Sequence, residues 1–224
     1  TIEVSLLEPG SLGTEVLYNV DHLKDVRCLK IKGKMNDDDW EKVGMMTNLF
    51  SLDLSEADVT LIPKSQFNSS LFLHEIILPN TLVEIGDYAF QGSYISTFKF
   101  PQTLRRIGFS AFASSSIAGH VILPNSMDFI DNDAFYNCDH MTQIVFPKNL
   151  RSIPNRCFYD CNALKSSPLP EGLVSIGEQA FYKASKFNPR LPKTLTSIGW
   201  AAFSHCATDS LFIPESLSSW GYEN

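Results

Sequence analysis

Seven prolines, each preceded by an apolar residue, recur along this chain at a nearly constant interval. They are Leu78-Pro79, Phe100-Pro101, Leu123-Pro124, Phe146-Pro147, Leu169-Pro170, Leu191-Pro192 and Ile213-Pro214, separated by 22 or 23 residues. Three further tracks run in phase with them. Phe stands at 67, 90, 112, 135, 158, 181 and 203, usually after Ala; Ile stands at 85, 107, 130, 153, 176 and 198. Three residues before each Ile lies Leu82, Leu104, Met127, Leu150, Leu173 or Leu195. Self-similarity at this period is the signature of a stacked-repeat architecture.

The unit reads apolar–x–apolar–Pro–x–(Thr/Ser)–Leu–x–x–Ile–Gly–x–x–Ala–Phe. The alternation before Pro predicts a short strand, and Pro, lacking an N–H, suits the strand's end. The Ile-Gly-x-x-Ala-Phe stretch is read as a turn into one helical or 3₁₀ turn, opened by Gly86, Gly108, Gly177 or Gly199, with Pro63, Asp131 or Pro154 as substitutes. One unit buries about six apolar side chains, on the order of 10 kcal/mol. Ordering its backbone and side chains costs roughly 30 kcal/mol. A lone unit therefore cannot fold, and stacking must supply the difference. The expected product is an elongated, curved solenoid with one parallel sheet of nine strands, roughly 40 Å long at the usual strand spacing.

At 78–90 (LPNTLVEIGDYAF), 169–181 (LPEGLVSIGEQAF) and 191–203 (LPKTLTSIGWAAF) the pattern resembles the BspA-like, or Treponema pallidum-type, leucine-rich repeats. Cys138, Cys161 and Cys206, each three residues after a Phe, fall where that pattern often has Cys. The likeness covers about residues 48–221. It implies an α/β repeat protein: a curved leucine-rich-repeat solenoid with one parallel β-sheet face, 22–23-residue repeats and short helical or 3₁₀ turns opposite. It also implies a secreted or cell-surface bacterial protein with an adhesion-like role.

The ends are less regular. Leu29 and Ile31 precede Leu52 and Leu54 by 23, continuing the strand track upstream. NDDDWEKVGMM (36–46) predicts an N-capped helix with acidic residues in its first turn, and a second helix is expected from about Ser11. Residues 1–48 are read as an N-terminal cap with the first strand and helix unit, and 49–224 as the solenoid. Its last repeat is incomplete: Leu217 keeps its track, Trp220-Gly221 replaces Ile-Gly, and the edge is expected either to be capped by Trp220 and Tyr222 or to be continued by a longer natural chain or a partner. The chain starts at Thr1 without Met, so a removed signal peptide is expected.

Chemistry is thinly represented. The formal charge of −7 gives no basic face for nucleic acid, and no apolar run is long enough for a membrane span. The cysteines suggest buried reduced thiols; a Cys138–Cys161 disulfide is the lesser alternative. Neither Asp37-Asp38-Asp39 nor Asp128/Asp131/Asp133 has the Gly and terminal Glu of a calcium loop. The histidines at 22, 74, 120, 140 and 205 are scattered, and no nucleophile, phosphate-loop or dinucleotide motif occurs. Asn68-Ser69-Ser70 is a glycosylation sequon with meaning only in a eukaryotic secretory route. No catalytic residue, metal or cofactor is expected.

Alternation makes the sheet surface readable. Positions one and three before each Pro should face inward, and those two and four before it outward. The outward middle row is Ile77, Lys99, Ile122, Val145, Pro168, Arg190 and Phe212; the outer row is Glu75, Thr97, His120, Gln143, Ser166, Asn188 and Ser210. An aliphatic centre with a polar rim has the character of a protein-binding patch, although strand propensity alone also places β-branched residues there. The candidate binding residues are Ile77, Lys99, His120, Ile122, Gln143, Val145, Arg190 and Phe212. The expected ligand is a protein, with a host extracellular protein as the candidate. A glycan, for which the rows offer only Phe212 as a stacking ring, and assembly through the last repeat are the alternatives. Ser167 and Pro189 interrupt the inward pattern, predicting an irregular sheet across 166–190.

Overall fold

The structure, a computed structural model, describes residues 1–207 and 211–221. Its elements are β1 (Ile2–Ser5), α1 (Leu12–Leu17), a 3₁₀ turn (Leu23–Asp25), β2 (Cys28–Lys34), α2 (Asp37–Met45), β3 (Ser51–Asp58), β4 (Leu61–Ile62) and β5 (Glu75–Ile77). There follow β6 (Glu84–Ile85), β7 (Arg106–Ile107), β8 (Gly119–Ile122), β9 (Phe129–Ile130), β10 (Met141–Val145), β11 (Ser152–Ile153), β12 (Ser175–Ile176), β13 (Ser197–Ile198) and β14 (Ser219–Trp220). All pairings are parallel, as a solenoid requires. The strands before the prolines form β1-β2-β3-β5 and the separate pair β8-β10. The residues ending on the Ile track form a second wall, β4-β6-β7-β9 and β11-β12-β13-β14.

The Phe track fills the interior. Phe67, Phe90, Phe112, Phe135, Phe158, Phe181 and Phe203 stack in one column with ring centroids 5.2–5.6 Å apart. From Phe90 onward neighbouring planes lie within 11° of parallel. Each ring from Phe90 to Phe181 is sandwiched by the same residue of the coils before and after it, so the repeat period fixes the packing as well as the topology. Coil spacing is held just as tightly at the Gly track. A Cβ on Gly108 would lie 2.7 Å from the Asp87 backbone nitrogen and 2.8 Å from the Gly86 carbonyl carbon. Glycine is there for close approach between coils, not only to open a turn.

The third wall differs from a helical turn. Residues two before and two after each Phe adopt positive φ, among them Tyr88 (58°), Arg156 (51°), Gln179 (52°), Asn137 (54°) and Lys183 (58°). Within a coil, bonds such as Gln91 N–H to the Tyr88 carbonyl close overlapping turns. The alternate N–H groups point the other way: Tyr88, Phe90 and Gly92 donate to the carbonyls of Phe109, Ala111 and Ala113 in the next coil at 2.7–2.8 Å. This alternating ribbon repeats from Ser65 onward, and its inter-coil bonds offset the cost of left-handed backbone in non-glycine residues.

The strand wall is not continuous. β5 meets the next coil only through one bridge, Glu75 to Thr97, and residues 98–100 pair with nothing further. Two phenylalanines occupy that coil's inward positions. Phe98 and Phe100 lie 4.7 Å apart and both crowd Phe112, at 4.9 and 5.6 Å. Ring volume spreads the coil where its neighbours carry aliphatic residues. A second break follows β10. Residues 165–169 and 188–191 form no strand, as Ser167 and Pro189 led one to expect. Ser167 turns its hydroxyl inward to accept from Ile144 N–H at 3.2 Å, and Ser166 bonds the Asn188 carbonyl in the ladder's place.

At the N-terminal end the predicted helices form. Asn36 caps α2 in a reciprocal box with Asp39. The Asp39 carboxylate, fully buried, also accepts from Gly10 N–H at 2.8 Å and Leu12 N–H at 3.0 Å. One side chain thus caps α2 and fastens the β1–α1 connection to it.

Candidate binding face

Every candidate residue of the strand wall is exposed in the structure. Ile122 and Val145 are partners in the β8–β10 register, 54% and 42% exposed, with His120 paired to Gln143 beside them. Two inward residues of the same wall, Val121 and Ile144, are buried beneath. Alternation along two strands therefore sets an aliphatic pair on a rigid, hydrogen-bonded base. Ile77 and Lys99 stand on either side of the first break, and Arg190 lies beyond the second. Phe212 is 85% exposed. Ile213, expected inward, is also exposed, at 43%, which corrects that assignment. Residues 211–213 form no strand, so alternation does not direct the side chain there. Ser210 of the outer row and Tyr222 lie outside the described residues.

Each break opens a groove. The first, about 530 Å³, is lined by His74, Glu75, Ile77, Thr97, Lys99 and Phe100, among others. The second, about 430 Å³, runs between the end of β10 and the strandless coil at 165–169, past Val145, Phe146, Lys148, Pro168, Pro170 and Glu171. Reading single rows does not reveal these grooves, because they arise from bonds missing between coils. The outward Pro168 was the available signal for the second.

Charge is distributed unevenly over this wall. On β2 and β3, Lys30 lies 2.5 Å from Glu56, and Lys32 lies 2.6 Å from Glu3 and 3.3 Å from Glu56. The hydrogen bond from Lys30, then that from Lys32, holds the Glu56 carboxyl below the usual range, and both lysines are correspondingly raised. Farther along, Lys99, Lys148, Lys165, Arg190 and Lys193 have no carboxylate within ion-pair distance among the described residues.

With this geometry in place, the comparisons with known proteins decide the family. The model described as "BspA type Leucine rich repeat region" matches in six copies, at residues 44–118, 60–188 and 118–223. The chain belongs to that family. Among solved structures, a leucine-rich repeat protein from Bacteroides ovatus is similar, with a TM-score of 0.77 and 21% identity. The match covers 87% of this chain and 53% of that one, so this chain spans about half that protein's length. The Treponema pallidum leucine-rich repeat protein is similar at a TM-score of 0.57 and 21% identity, with 81% and 77% covered. At such identity these likenesses establish the fold. No curated protein matches the chain.

The cysteines take a structural part in this BspA-type chain. All five cysteines are free. Cys138, Cys161 and Cys206 donate their thiols to the carbonyls of Phe112, Phe135 and Phe181, one coil back, at 3.1, 3.1 and 2.9 Å. Burial pushes the Cys138 and Cys206 thiols up to about 12, and Cys157 and Cys161 well above the ordinary value. Asp131 and Asp133 form ion pairs with Arg106 and Arg156, and no grouping of ligands suited to a metal occurs among the described residues. No described helix is long and apolar enough to cross a membrane. A stack of Tyr136, Tyr159 and Tyr182, centroids 4.8 Å apart, runs up the turn wall. Its signal was Tyr following Phe in three successive repeats.

Proposed function

We propose that this leucine-rich repeat chain is a non-enzymatic binding module of a secreted or cell-surface bacterial protein, engaging a protein ligand through its strand wall in an adhesion-like role. The observation that carries the reading is the in-register pair Ile122 and Val145, exposed side by side with the polar pair His120 and Gln143 next to them in the same register. Such a surface is held in place before binding, so little ordering entropy is lost on association. The family supports the extracellular setting. A second reading, assembly through the last described coil, is favoured by the exposure of Phe212, Ile213 and Trp220; concentration-dependent sedimentation would report it.

The test is capture of extracellular-matrix and serum proteins on the immobilised chain, read by mass spectrometry against the Ile122→Lys/Val145→Lys variant. A saturable partner lost in the variant, with an unchanged circular dichroism spectrum, supports the strand wall. Equal capture by both chains overturns it.

A further inference from the structure

Within the strand-wall reading, we infer that the groove between β10 and the unpaired coil at Pro168 receives an acidic, extended segment of the partner protein carrying aliphatic side chains. The inference rests on charge. Of the eight Lys and Arg in residues 140–200, Arg156 is paired with Asp133, while Lys148, Lys165, Arg190 and Lys193 belong to the strand coils and the positions just after their prolines. Lys148 lines the groove, Lys165 precedes the outer-row Ser166, and Arg190 lies in the same middle row as Val145. Lys193 follows Pro192 at the repeat position that Lys148 occupies after Pro147.

The contrast with the other end of the wall gives this its direction. There, Lys30 and Lys32 are neutralised by Asp53, Glu56 and Glu3 within the chain. Here Lys148, Lys165, Arg190 and Lys193 have no such partner among the described residues; Lys148 and Glu171 are the charged residues lining the groove, Lys165 lies on the coil that forms its far side, and Arg190 and Lys193 lie on the coil after that. Opposed charge on the two sides of an interface steers encounter and fixes register. The floor supplies the remainder. Val145, Phe146, Pro168 and Leu169 form an apolar trough, continuous with Ile122 through its pairing with Val145. A basic or purely polar segment would gain little there, and a neutral apolar one would leave the cations unused.

The probe is a phage-displayed library of random 12-residue peptides selected on the intact chain. The parallel targets are the Lys148→Glu/Arg190→Glu and Ile122→Lys/Val145→Lys variants. The expected enriched peptides combine Asp or Glu with Leu, Ile or Val, bind about tenfold more weakly to the charge-reversed variant, and weaken as salt rises from 0.05 to 0.5 M. Peptides of neutral or basic composition, no enrichment at all, or equal binding to the charge-reversed chain would overturn the inference. If binding survives charge reversal and is lost on Ile122→Lys/Val145→Lys, the strand-wall reading stands without an acidic partner. If binding survives both, both readings fall.

Discussion

The thiol of Cys161 donates to the backbone carbonyl of Phe135, 3.1 Å away and one coil back. The same relation joins Cys138 to Phe112 and Cys206 to Phe181. It explains why cysteine suits this position without invoking redox chemistry. The site takes a small buried side chain, Ser93, Ser115 and Ala184 in other repeats, and where it is Cys138, Cys161 or Cys206 the thiol adds a weak bond to the preceding coil. A thiol reagent such as DTNB at pH 7.5 should leave Cys138, Cys157 and Cys161 unmodified in the folded chain and label all five cysteines in denaturant. Rapid labelling of all five under native conditions would contradict the packing described.

Those raised thiol values also set an alkaline limit. Unfolded cysteines ionise from about pH 8.5, whereas Cys138 and Cys206 stay protonated in the fold to about 12. Their contribution is fully present below pH 8.5 and declines as pH rises between those values. On the acid side the sign reverses. Glu56 is held below the ordinary carboxylate range, so its contribution is present above about pH 4.3 and fades as pH falls through the folded value. Urea midpoints from pH 3 to 10 should therefore drop at both ends, and Glu56→Gln should flatten the acid arm.

Phe135 stacks between Phe112 at 5.4 Å and Phe158 at 5.5 Å, with planes within 4° of parallel. Truncating it removes contacts on both faces at once and leaves a hole that two flanking coils cannot close. Phe135→Ala should cost about 3–5 kcal/mol by urea unfolding. A cost below about 1 kcal/mol would show that the column does not hold the coils together.

Three glycines separate coil contact from loop chemistry. Gly108→Ala sets a methyl 2.7 Å from the Asp87 nitrogen and should destabilise by about 1–3 kcal/mol. Gly172→Ala meets only the Arg151 side chain, at 3.5 Å, and should stay within about 0.5 kcal/mol. Gly44 lies in α2, where an added Cβ finds open contact, so Gly44→Ala should stabilise by about 0.5–1 kcal/mol. Thermal denaturation of the three variants would rank them directly.

Asp39 accepts from Gly10, Leu12 and Asn36 while fully buried. Asp39→Ala leaves three N–H groups without their acceptor and should cost about 3 kcal/mol or more. Hydrogen exchange at Gly10, Leu12 and Asn36 should rise first. Unchanged protection there would mean that other contacts hold the N-terminal segment.

What the sequence makes legible is what recurs at fixed phase. The Phe column, the buried Cys track and the outward Ile122–Val145 row follow from period and alternation alone. The second strand wall is not legible that way, because Ser175-Ile176 and its equivalents pair for only two residues each. The turn ribbon is hidden for a related reason. Tyr88, Arg156 and Gln179 have no local preference for positive φ, and bonds from neighbouring coils impose it. The break at 98–100 is hidden too, since Phe98 and Phe100 keep the inward alternation and only their volume opens the coil. The break at 166–190 was legible, since Pro189 announces its missing donor.

The most direct measurement of the central claim, that the strand wall is the binding surface, is hydrogen exchange with and without the captured ligand. Residues 119–123 and 141–146, with the coil around Pro168, should gain protection, while the turn wall carrying Tyr136, Tyr159 and Tyr182 should not change. Protection confined to the turn wall, with residues 119–146 of the strand wall unaffected, would contradict the account.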